Sequence, residues 1–376
     1  MKNMESMISF EIDEIRLWKI TLPYVEPFET SFGREKKKTT IIIAVKSGDD
    51  LGFGELVAGE KPNFSYETIE TSLYVFKKYF IKRMLKKDVN PEIFLDDVKW
   101  IRGYPMAKAA FEMALWDLYA KKLNRPLYEV IGGVRKKVDV GVSIGIQKSI
   151  RTLLNKINMY LDRGYKRIKV KIKKGWDYNV LDAIRREYPD IMLTVDANCA
   201  YTKEDIDYLA KIDKYGLLYL EQPLYYWDLY YHSVLQRRIK TPICLDESIT
   251  NGLRAEEAVE IGAAKVINVK PGRVGGIKET LYINHIGLKK KIPMWIGGML
   301  ETGIGRAFNV SIATLENVKY PSDISESKRY FERDIITEDW TLNKDGTLSV
   351  RTKPGIGVDI DWGYFNKKVR KEWIFR

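Results

Sequence analysis

The chain has 376 residues, of which 45% are hydrophobic and 30% charged, and its formal net charge is +12. This length allows a barrel of about 250 residues and a second, smaller unit. No apolar run approaches the roughly 18 residues of a membrane span, and the first residues lack a signal-peptide core, so no membrane partner is expected. Two cysteines, Cys199 and Cys244, cannot form a disulfide framework and indicate a reduced, cytoplasmic protein.

The positive net charge raises the question of a nucleic-acid partner. The lysines occur in short clusters separated by acidic residues, and the sequence contains no recognition-helix, zinc-finger or RNA-binding signature. Solvated helix faces explain such clusters better, so we expect no nucleic-acid partner. A positive field would still attract an anionic small-molecule substrate.

The first third of the chain predicts an α+β unit. Residues 1–57 have the alternation of β-strands, with a hairpin turn at 48–50. Two loops are expected, at 24–33 and 58–65. In residues 66–123 the apolar residues then recur with a helical period. This pattern ends at residues 124–133, where Pro126 breaks the helix and two glycines form a turn.

A regular array of strands and helices follows. Five short apolar runs each end in a charged residue, at intervals of 25, 25, 25 and 24 residues; these residues are Lys171, Asp196, Glu221, Asp246 and Lys270. A strand and a helix in each repeat indicate a parallel (β/α) barrel, in which the strand ends form the face that carries chemistry. The alternative is that these five residues are surface charges that follow the strands by chance. The presence of acids at three consecutive strand ends argues against this alternative.

The remaining strands are less clear. Residues 138–145 predict a first strand ending near Ser143, residues 293–305 a seventh strand with a glycine-rich loop, and residues 318–325 a weak eighth. Residues 345–361 have hairpin character. The basic, amphipathic segment 364–376 is expected to pack back on the N-terminal unit.

Three acids stand on consecutive strands of this array. Adjacent parallel strands lie about 4.8 Å apart, so Asp196, Glu221 and Asp246 can converge on one cation. Carboxylate ligands favour a hard ion, foremost Mg²⁺, whereas zinc is disfavoured because His232 and His285 do not end strands. The alternative is that these acids cap the following helices, which suits Asp246 best.

Lysines flank the acids on both sides. Lys169 and Lys171 precede them and Lys270 follows them, and strands two and six of a barrel lie opposite each other. This arrangement suits removal of a proton next to a metal-bound carboxylate, with Arg273 adding positive charge. Glycine-rich loops at 270–276 and 296–305 match no nucleotide-binding motif and instead suggest close approach of backbone to a small molecule.

These motifs, in this order, resemble a known family. The segments KVK, VDAN, EQP, LDES, NVKPGRVGG and WIGGMLETGIG, together with PFETSFG, MAKAAFEMALWDL and SDISESKRYF, are similar to those of the enolase superfamily. Within its muconate-lactonizing-enzyme subgroup, the chain most resembles the o-succinylbenzoate synthase / N-acylamino acid racemase branch. The likeness extends over almost the whole chain.

The resemblance implies a modified TIM barrel, (β/α)₇β, at 136–325, with an α+β capping domain from residues 1–135 and about 326–376. It implies Mg²⁺, or Mn²⁺, on Asp196, Glu221 and Asp246. Lys171 and Lys270 would be the acid/base pair. Other site residues implied are Lys169 and Asn198 beside them, and Ser143, Gly298 and Met299 at the edge of the substrate.

The resemblance also implies a lyase or isomerase reaction on a small carboxylate in a homo-oligomer. In o-succinylbenzoate synthesis, a step of menaquinone biosynthesis, Lys171 would remove a proton and syn loss of water would follow through an enediolate. In N-acylamino acid racemisation the two lysines would alternate. Dipeptide epimerase and muconate cycloisomerase remain rivals, although SDISES lacks the Asp-x-Asp pair of the epimerase. A non-catalytic binding protein is the remote alternative.

Overall fold

In the computed structural model, residues 8–30 and 33–376 are described, and they form an antiparallel sheet with helices next to a parallel barrel. The strands are β1 Phe10–Glu11, β2 Glu14–Thr30, β3 Gly33–Ser47, β4 Asp50–Glu55, β5 Asp88–Val89, β6 Lys137–Asp139, β7 Gly141–Ile144, β8 Arg167–Lys171, β9 Met192–Asp196, β10 Leu220–Glu221, β11 Ile243–Leu245, β12 Val266–Val269, β13 Met294–Ile296, β14 Thr347–Ser349 and β15 Val369–Phe375.

Helices connect most of these strands. They are α1 Ile69–Val75, α2 Ile81–Met84, α3 Pro91–Asp97, α4 Pro105–Lys122, α5 Leu127–Val130, α6 Ile150–Asp162, α7 Tyr178–Glu187, α8 Ile206–Leu209, α9 Tyr230–Arg238, α10 Gly252–Glu260, α11 Pro271–Val274, α12 Ile277–Lys290, α13 Gly303–Ile312 and α14 Trp362–Lys368. A π-helical turn, Phe76–Phe80, joins α1 to α2, and short 3-10 helices span Lys203–Asp205, Ala210–Tyr215 and Ser327–Arg329.

The predicted barrel is confirmed. Strands β7 to β13 are hydrogen-bonded in parallel in chain order. The eighth position is a set of isolated bridges rather than a strand, in which Val318 and Asp323 pair with β13 and its following residue, and Ser322 pairs with Val140 beside β7. These bridges close the ring of strands. The helices between strands bury one face each, as in α6, where Leu153, Ile157 and Tyr160 face the barrel at helical spacing.

The antiparallel sheet has the strand order β15-β2-β3-β4, which confirms that the end of the chain packs on its beginning. Ile41, Ile42 and Ile43 of β3 are all fully buried, so both faces of this sheet are covered. Helix α4 packs on it and is buried on nearly every side. The hairpin predicted at 48–50 joins β3 to β4.

Helix α4 also joins the capping unit to the barrel. The carboxylate of Glu112 is fully buried and accepts hydrogen bonds from the backbone N–H groups of Ile277 (2.7 Å) and Lys278 (2.8 Å) at the start of α12. Gly276, with φ of +113°, lies so close that a Cβ atom there would be 2.2 Å from Glu112 Oε2. Gly276 therefore serves this contact between the capping unit and the barrel. That the glycine-rich loop 270–276 lets backbone approach a small molecule stays a prediction.

Three local predictions need correction. Residues 24–30 are not a loop but continue β2, with an irregular register between Pro23 and Phe28, and residues 31–32 lie outside the described residues. Segment 138–145 is split, because β6 leaves the barrel to pair with β14. For the same reason 345–361 is not a hairpin, since its strand has a distant partner. Segment 58–65 is a loop, as predicted.

Among the helices of the described residues, none is long and apolar enough to cross a membrane. Cys199 and Cys244 are both free thiols. The boundaries between capping domain and barrel, at 135–136 and about 325–326, stay a prediction.

Candidate active site

The three predicted acids meet at the carboxyl ends of adjacent barrel strands. Asp196 and Glu221 are the last residues of β9 and β10 and are direct neighbours in the register of these strands, and Asp246 follows β11. One carboxylate oxygen from each lies within 4.8 Å of the others, and all three side chains are buried. At such distances each pair repels by about 3 kcal/mol at an effective dielectric constant of about 20. The triad therefore requires positive charge.

Asp246 does not cap the following helix. The side chain of Asn251 caps α10 instead. The carboxylate of Asp246 forms ion pairs with Lys270 and with Arg273. The capping alternative is thus wrong for the acid that it suited best, and all three carboxylates point to one common place.

The two predicted acid/base lysines lie at opposite sides of the triad. Lys171 ends β8, beside Asp196, and its ammonium is 2.5 Å from an Asp196 oxygen and 2.5 Å from Asn198 Oδ1. Lys270 follows β12 and contacts Asp246 at the other side. Both side chains are largely buried, but each lines the cavity above the triad and is therefore accessible to a bound molecule.

Lys169 lies deeper in the barrel, on the same face of β8 as Lys171. Its ammonium is 2.9 Å from Glu221, 3.5 Å from Asp196 and 2.7 Å from Asp323. Burial alone would lower the pKa of Lys169, but the carboxylates of Asp323, Glu221 and Asp196 outweigh burial and raise that pKa well above its usual value. Lys169 is therefore a fixed cation in the site.

Arg273 is buried behind the triad rather than on its open side. Its guanidinium donates to the backbone carbonyls of Ile249 (2.9 Å) and Asn268 (3.0 Å) and contacts Asp246. Burial lowers the pKa of Arg273 to about 9, against the opposing effect of Glu221. Arg273 thus holds Asp246 in place, and it does not line the cavity above the triad.

A cavity of about 690 Å³ lies above the triad, between the barrel and the capping unit. Loop 58–65 and the first part of β3 form its outer wall, and Ser143, Asn198, Gly298 and Met299 line its inner part. That these four residues contact the substrate stays a prediction. The outer wall brings four lysines to the cavity, Lys36, Lys37, Lys38 and Lys61.

Several contributing residues were missed from sequence. Asp323 was missed because the eighth strand is too short to recognise. Asn268 donates from Nδ2 to Glu221 Oε1 at 2.8 Å. Asn268 could have been found from sequence, because a residue of β12 that stands two positions before Lys270 is expected to point to the same side. Glu247, which accepts from Asn198 Nδ2 at 2.9 Å, and Lys38, which donates to the Met299 carbonyl at 2.9 Å, had no such signal.

The aromatic segment after Glu221 lies outside this cavity. The rings of Tyr225, Tyr226 and Trp227 pack together in tilted and edge-to-face pairs with ring centroids 4.5 to 4.9 Å apart, and they remain 42% to 62% exposed. They lie beside a separate surface groove that Cys199 and Arg254 also line. These rings do not surround the carboxylate triad.

Comparison with known proteins agrees with this architecture. Residues 14–132 match the model of the mandelate racemase / muconate lactonizing enzyme N-terminal domain, and residues 152–364 match the enolase C-terminal domain-like model. A crystal structure of an enolase-superfamily member from Listeria innocua superposes with a TM-score of 0.94 at 38% identity, covering 97% of this chain and 99% of that one. The chain is thus an enzyme of the enolase superfamily.

Within that superfamily, the chain belongs to the mandelate racemase / muconate lactonizing enzyme family. Two relatives are similar over most of its length. An N-succinylamino acid racemase of Thermus thermophilus is 45% identical over 351 residues, covering 93% of this chain and 94% of the relative. An o-succinylbenzoate synthase of Geobacillus kaustophilus is 43% identical over 356 residues, covering 94% and 95%.

The donor set fits a divalent cation, as expected for this family. Three carboxylates supply hard oxygen ligands with no sulfur or imidazole among them. The hydrogen bond from Asn268 orients Glu221, and the ion pair with Arg273 orients Asp246, as second-sphere partners do in metal sites.

Proposed function

We propose that this enzyme is a Mg²⁺-dependent o-succinylbenzoate synthase, acting in the cytoplasm in menaquinone biosynthesis. The observation that carries the proposal is the position of Lys171 beside the carboxylate triad, where one lysine can take and return a proton, with Lys270 as a second cation at the opposite side. The similarity to relatives with this activity at about 43% identity supports the choice of substrate.

Asp196, Glu221 and Asp246 would hold the Mg²⁺, for which Mn²⁺ could substitute. When bound, this cation draws negative charge from the substrate carboxylate and makes the adjacent C–H proton more acidic. The chain's own cations add to this effect, because Lys169 remains charged beside Glu221 and the nascent negative oxygen would lie near it.

The dehydration needs one lysine that both takes and returns a proton. Lys171 removes the proton from carbon, and the C–H electron pair moves toward the carboxylate. The hydroxyl group then leaves on the same side with a proton from Lys171, so that one water is lost and Lys171 is neutral again. Lys270 stays protonated at the opposite side and stabilises the negative charge.

A second activity, racemisation of N-succinylamino acids, is favoured by the position of Lys270. Dehydration on one face does not require a second lysine with access to the cavity, whereas racemisation does. One lysine would remove the α-proton and the other would deliver a proton to the opposite side. The Thermus thermophilus relative supports this second activity.

The charge around the triad favours a substrate with more than one negative charge. The side chains joined by ion pairs are four acids and five bases: Asp196, Glu221, Asp246, Asp323, Arg167, Lys169, Lys171, Lys270 and Arg273. With all five bases protonated, and without the Glu247 carboxyl that lies beside Asn198, their formal sum is +1. A divalent cation would raise this sum to +3, or to +2 when Lys171 is the neutral base. Both the synthase substrate and N-succinylamino acids are dicarboxylates, and the lysines of the outer wall would attract their second carboxylate.

The rival activities have weaker support. A dipeptide epimerase requires a free acidic group for the substrate ammonium, but the Asp323 carboxylate is shared between Arg167 and Lys169, and residue 325 is a serine. Muconate cycloisomerase has no observation in its favour here. A non-catalytic binding protein would not need lysines on both sides of a metal site.

The test is ¹H NMR in D₂O with Mg²⁺ and separate substrates. Loss of the vinylic and ring signals of the cyclohexadiene precursor, with appearance of aromatic product, supports the synthase. Deuterium uptake at the α-carbon of N-succinylamino acids, with loss of optical rotation, supports the racemase. Turnover of dipeptides alone, or of no substrate, contradicts the proposal.

We also propose that the enzyme is a homo-oligomer. The exposed rings of Tyr225, Tyr226 and Trp227, which pack against one another, fit a contact between subunits, since aromatic residues are enriched in the cores of such interfaces. Light scattering after size-exclusion chromatography measures the mass directly, and a monomeric mass would contradict this part of the proposal.

A further inference from the structure

The isolated bridges at the eighth position of the barrel place one acid, Asp323, at the floor of the cavity. The backbone N–H of Asp323 donates to the Ile296 carbonyl at 2.9 Å, and Asp323 bridges to Gly297 in parallel. Its side chain points inward, lines the cavity and lies between two cations, with Lys169 Nζ at 2.7 Å and Arg167 Nη2 at 2.5 Å.

The lower of these cations, Arg167, is enclosed by the barrel core. Its side chain is fully buried, Nη2 also donates to the Pro321 carbonyl at 2.9 Å, and the guanidinium stacks 5.0 Å above the Trp295 ring. The space for it exists because residue 141 is glycine, where a Cβ atom would lie 2.5 Å from Arg167 Cζ. Arg167 therefore fixes the carboxylate of Asp323.

The upper cation, Lys169, has a long and flexible side chain and more than one anion to choose from. Its ammonium contacts Asp323, Glu221 and Asp196, and it lies 4.7 Å above the same Trp295 ring. Glu221 and Asp196 belong to the triad that suits a divalent cation, so their oxygens are committed to that cation when it binds. Asp323 is outside the triad, so its carboxylate remains available for the ion pair with Lys169 when the cation is bound.

We propose that Asp323 is a positioning residue, which holds the ammonium of Lys169 at the inner side of the metal site, where negative charge develops on the substrate. The inference rests on the proposed function. Arg167 takes part by fixing the carboxylate of Asp323. Through the two ion pairs Arg167–Asp323 and Asp323–Lys169, the barrel core thus sets the position of the Lys169 ammonium beside the reacting group. Asp323 itself does not exchange a proton with the substrate.

A double-mutant cycle tests this role, with Asp323→Asn, Lys169→Met and the double variant. Asp323→Asn keeps the size of the side chain and removes its charge. We expect kcat to fall by about 100-fold, the loss typical of a misplaced catalytic group. Because Asp323 acts through Lys169, the double variant should be no slower than Lys169→Met alone. Asp139→Asn, which removes the exposed partner of Lys166, is the matched control and should leave kcat unchanged.

Two further measurements separate positioning from other roles. The Mg²⁺ affinity of Asp323→Asn, measured by calorimetry without substrate, should stay within about threefold of the wild type, since Asp323 is not a ligand in this proposal. Multiplying effects in the double variant, an unchanged kcat, or a parallel loss of Mg²⁺ affinity would each overturn the inference. Asp323→Ser carries the same expectations and replaces Asp323→Asn if that variant does not fold.

The outcome remains distinct from that of the proposed function. A wild-type protein inactive on all substrates would contradict the proposed function but not the position of Lys169. Crystal structures of the wild type and Asp323→Asn with Mg²⁺ then decide the inference. The Lys169 ammonium should leave its place over Trp295 in the variant, and an unchanged position would refute the role of Asp323.

Discussion

The Lys171 ammonium lies 2.5 Å from the carboxylate of Asp196. Lys171 ends β8 and Asp196 ends β9, and the two residues are direct partners in the register of these strands. The proposed base and a proposed metal ligand are thus in contact. Asn198 contacts both, accepting from Lys171 at its Oδ1 and donating its backbone N–H to Asp196 at 2.9 Å. Base and ligand therefore share one orienting residue, and their separate roles have to be distinguished by substitution.

Lys171→Ala should abolish proton removal while leaving metal binding intact. General base catalysis contributes about 10²–10⁴-fold, so we expect turnover of both substrate types to fall by at least about 10²-fold. NMR in D₂O measures this loss, and calorimetry with Mg²⁺ measures the retained affinity. Lys174→Ala, at an exposed lysine nearby that pairs with Asp205, is the control. Near-native turnover in Lys171→Ala would show that another residue is the base.

Lys270→Met should separate proton exchange from inversion. With one lysine left, an N-succinylamino acid whose α-proton faces Lys171 should still exchange it for deuterium, but with retention of configuration. The opposite enantiomer should exchange at least about 10²-fold more slowly than in the wild type. Chiral chromatography and NMR of each enantiomer measure this, with Lys265→Met as control. Equal exchange of both enantiomers would contradict the assignment of opposite faces.

Glu221→Gln should remove the effect of Mg²⁺ on stability. A ligand at 100 times its Kd stabilises the native state by about 2.7 kcal/mol, so the Tm of the wild type should rise by several degrees with Mg²⁺. The variant has one ligand charge fewer and should show little rise at the same concentration. Glu257→Gln, in an exposed pair with Arg254, should behave as the wild type. An undiminished rise in Glu221→Gln would place the ion elsewhere.

Glu112 should make stability fall as the pH rises from about 5 to 8. Burial raises the pKa of this carboxyl from 4.5 to about 7, although the N–H groups of Lys278 and Ile277 favour its charged form. An acid with a raised pKa in the folded state contributes stability that is complete below its unfolded pKa and is lost as the pH rises through its folded pKa. The difference corresponds to about 3 kcal/mol.

Urea unfolding of the wild type and Glu112→Gln across this pH range isolates the contribution of Glu112. The amide cannot ionise. The free energy of unfolding of the variant minus that of the wild type should therefore increase by up to about 3 kcal/mol between pH 5 and 8. Any constant offset from a changed hydrogen bond does not alter this slope. A difference between the two proteins that does not vary with pH would show that Glu112 does not titrate there.

Lys36→Met and Lys61→Met should weaken binding of substrates with a distal carboxylate. Both lysines line the outer wall of the cavity and are exposed, so each is expected to contribute no more than about 1 kcal/mol, or about fivefold in KM. N-acetyl amino acids, which lack the second carboxylate, should show no change. Lys214→Met is the control away from the cavity. Equal effects on both substrate types would argue against recognition of the distal charge.

The carboxylate triad and its lysines could be predicted from sequence because buried parallel strands are continuous apolar runs, and a charge at the end of each is easily seen. Asp323 could not be predicted in the same way. Its strand consists of isolated bridges, and its partners Arg167 and Lys169 lie more than 150 residues earlier. Such a cluster is defined by barrel closure, which no local pattern records.

The errors in the capping unit have the same origin. Pro27 and Gly33 favoured a loop over residues 24–33, but Tyr24 stacks on Phe331 with ring centroids 5.8 Å apart, and this distant contact accompanies the continued strand. Residues 347–349 likewise form a strand because they pair with 137–139. Local sequence predicted that these segments have β character or turns, and distant partners decided which.

The pairing of β15 with β2 has a consequence for synthesis on the ribosome. Trp18 of β2 donates to Glu372 of β15 across 354 residues of chain, so this edge of β2 has no partner until the residues between them have been made. A long unpaired strand edge is a site of aggregation. During translation, this edge stays unpaired while the barrel strands emerge, and it is then open to pairing with the strand edge of another chain.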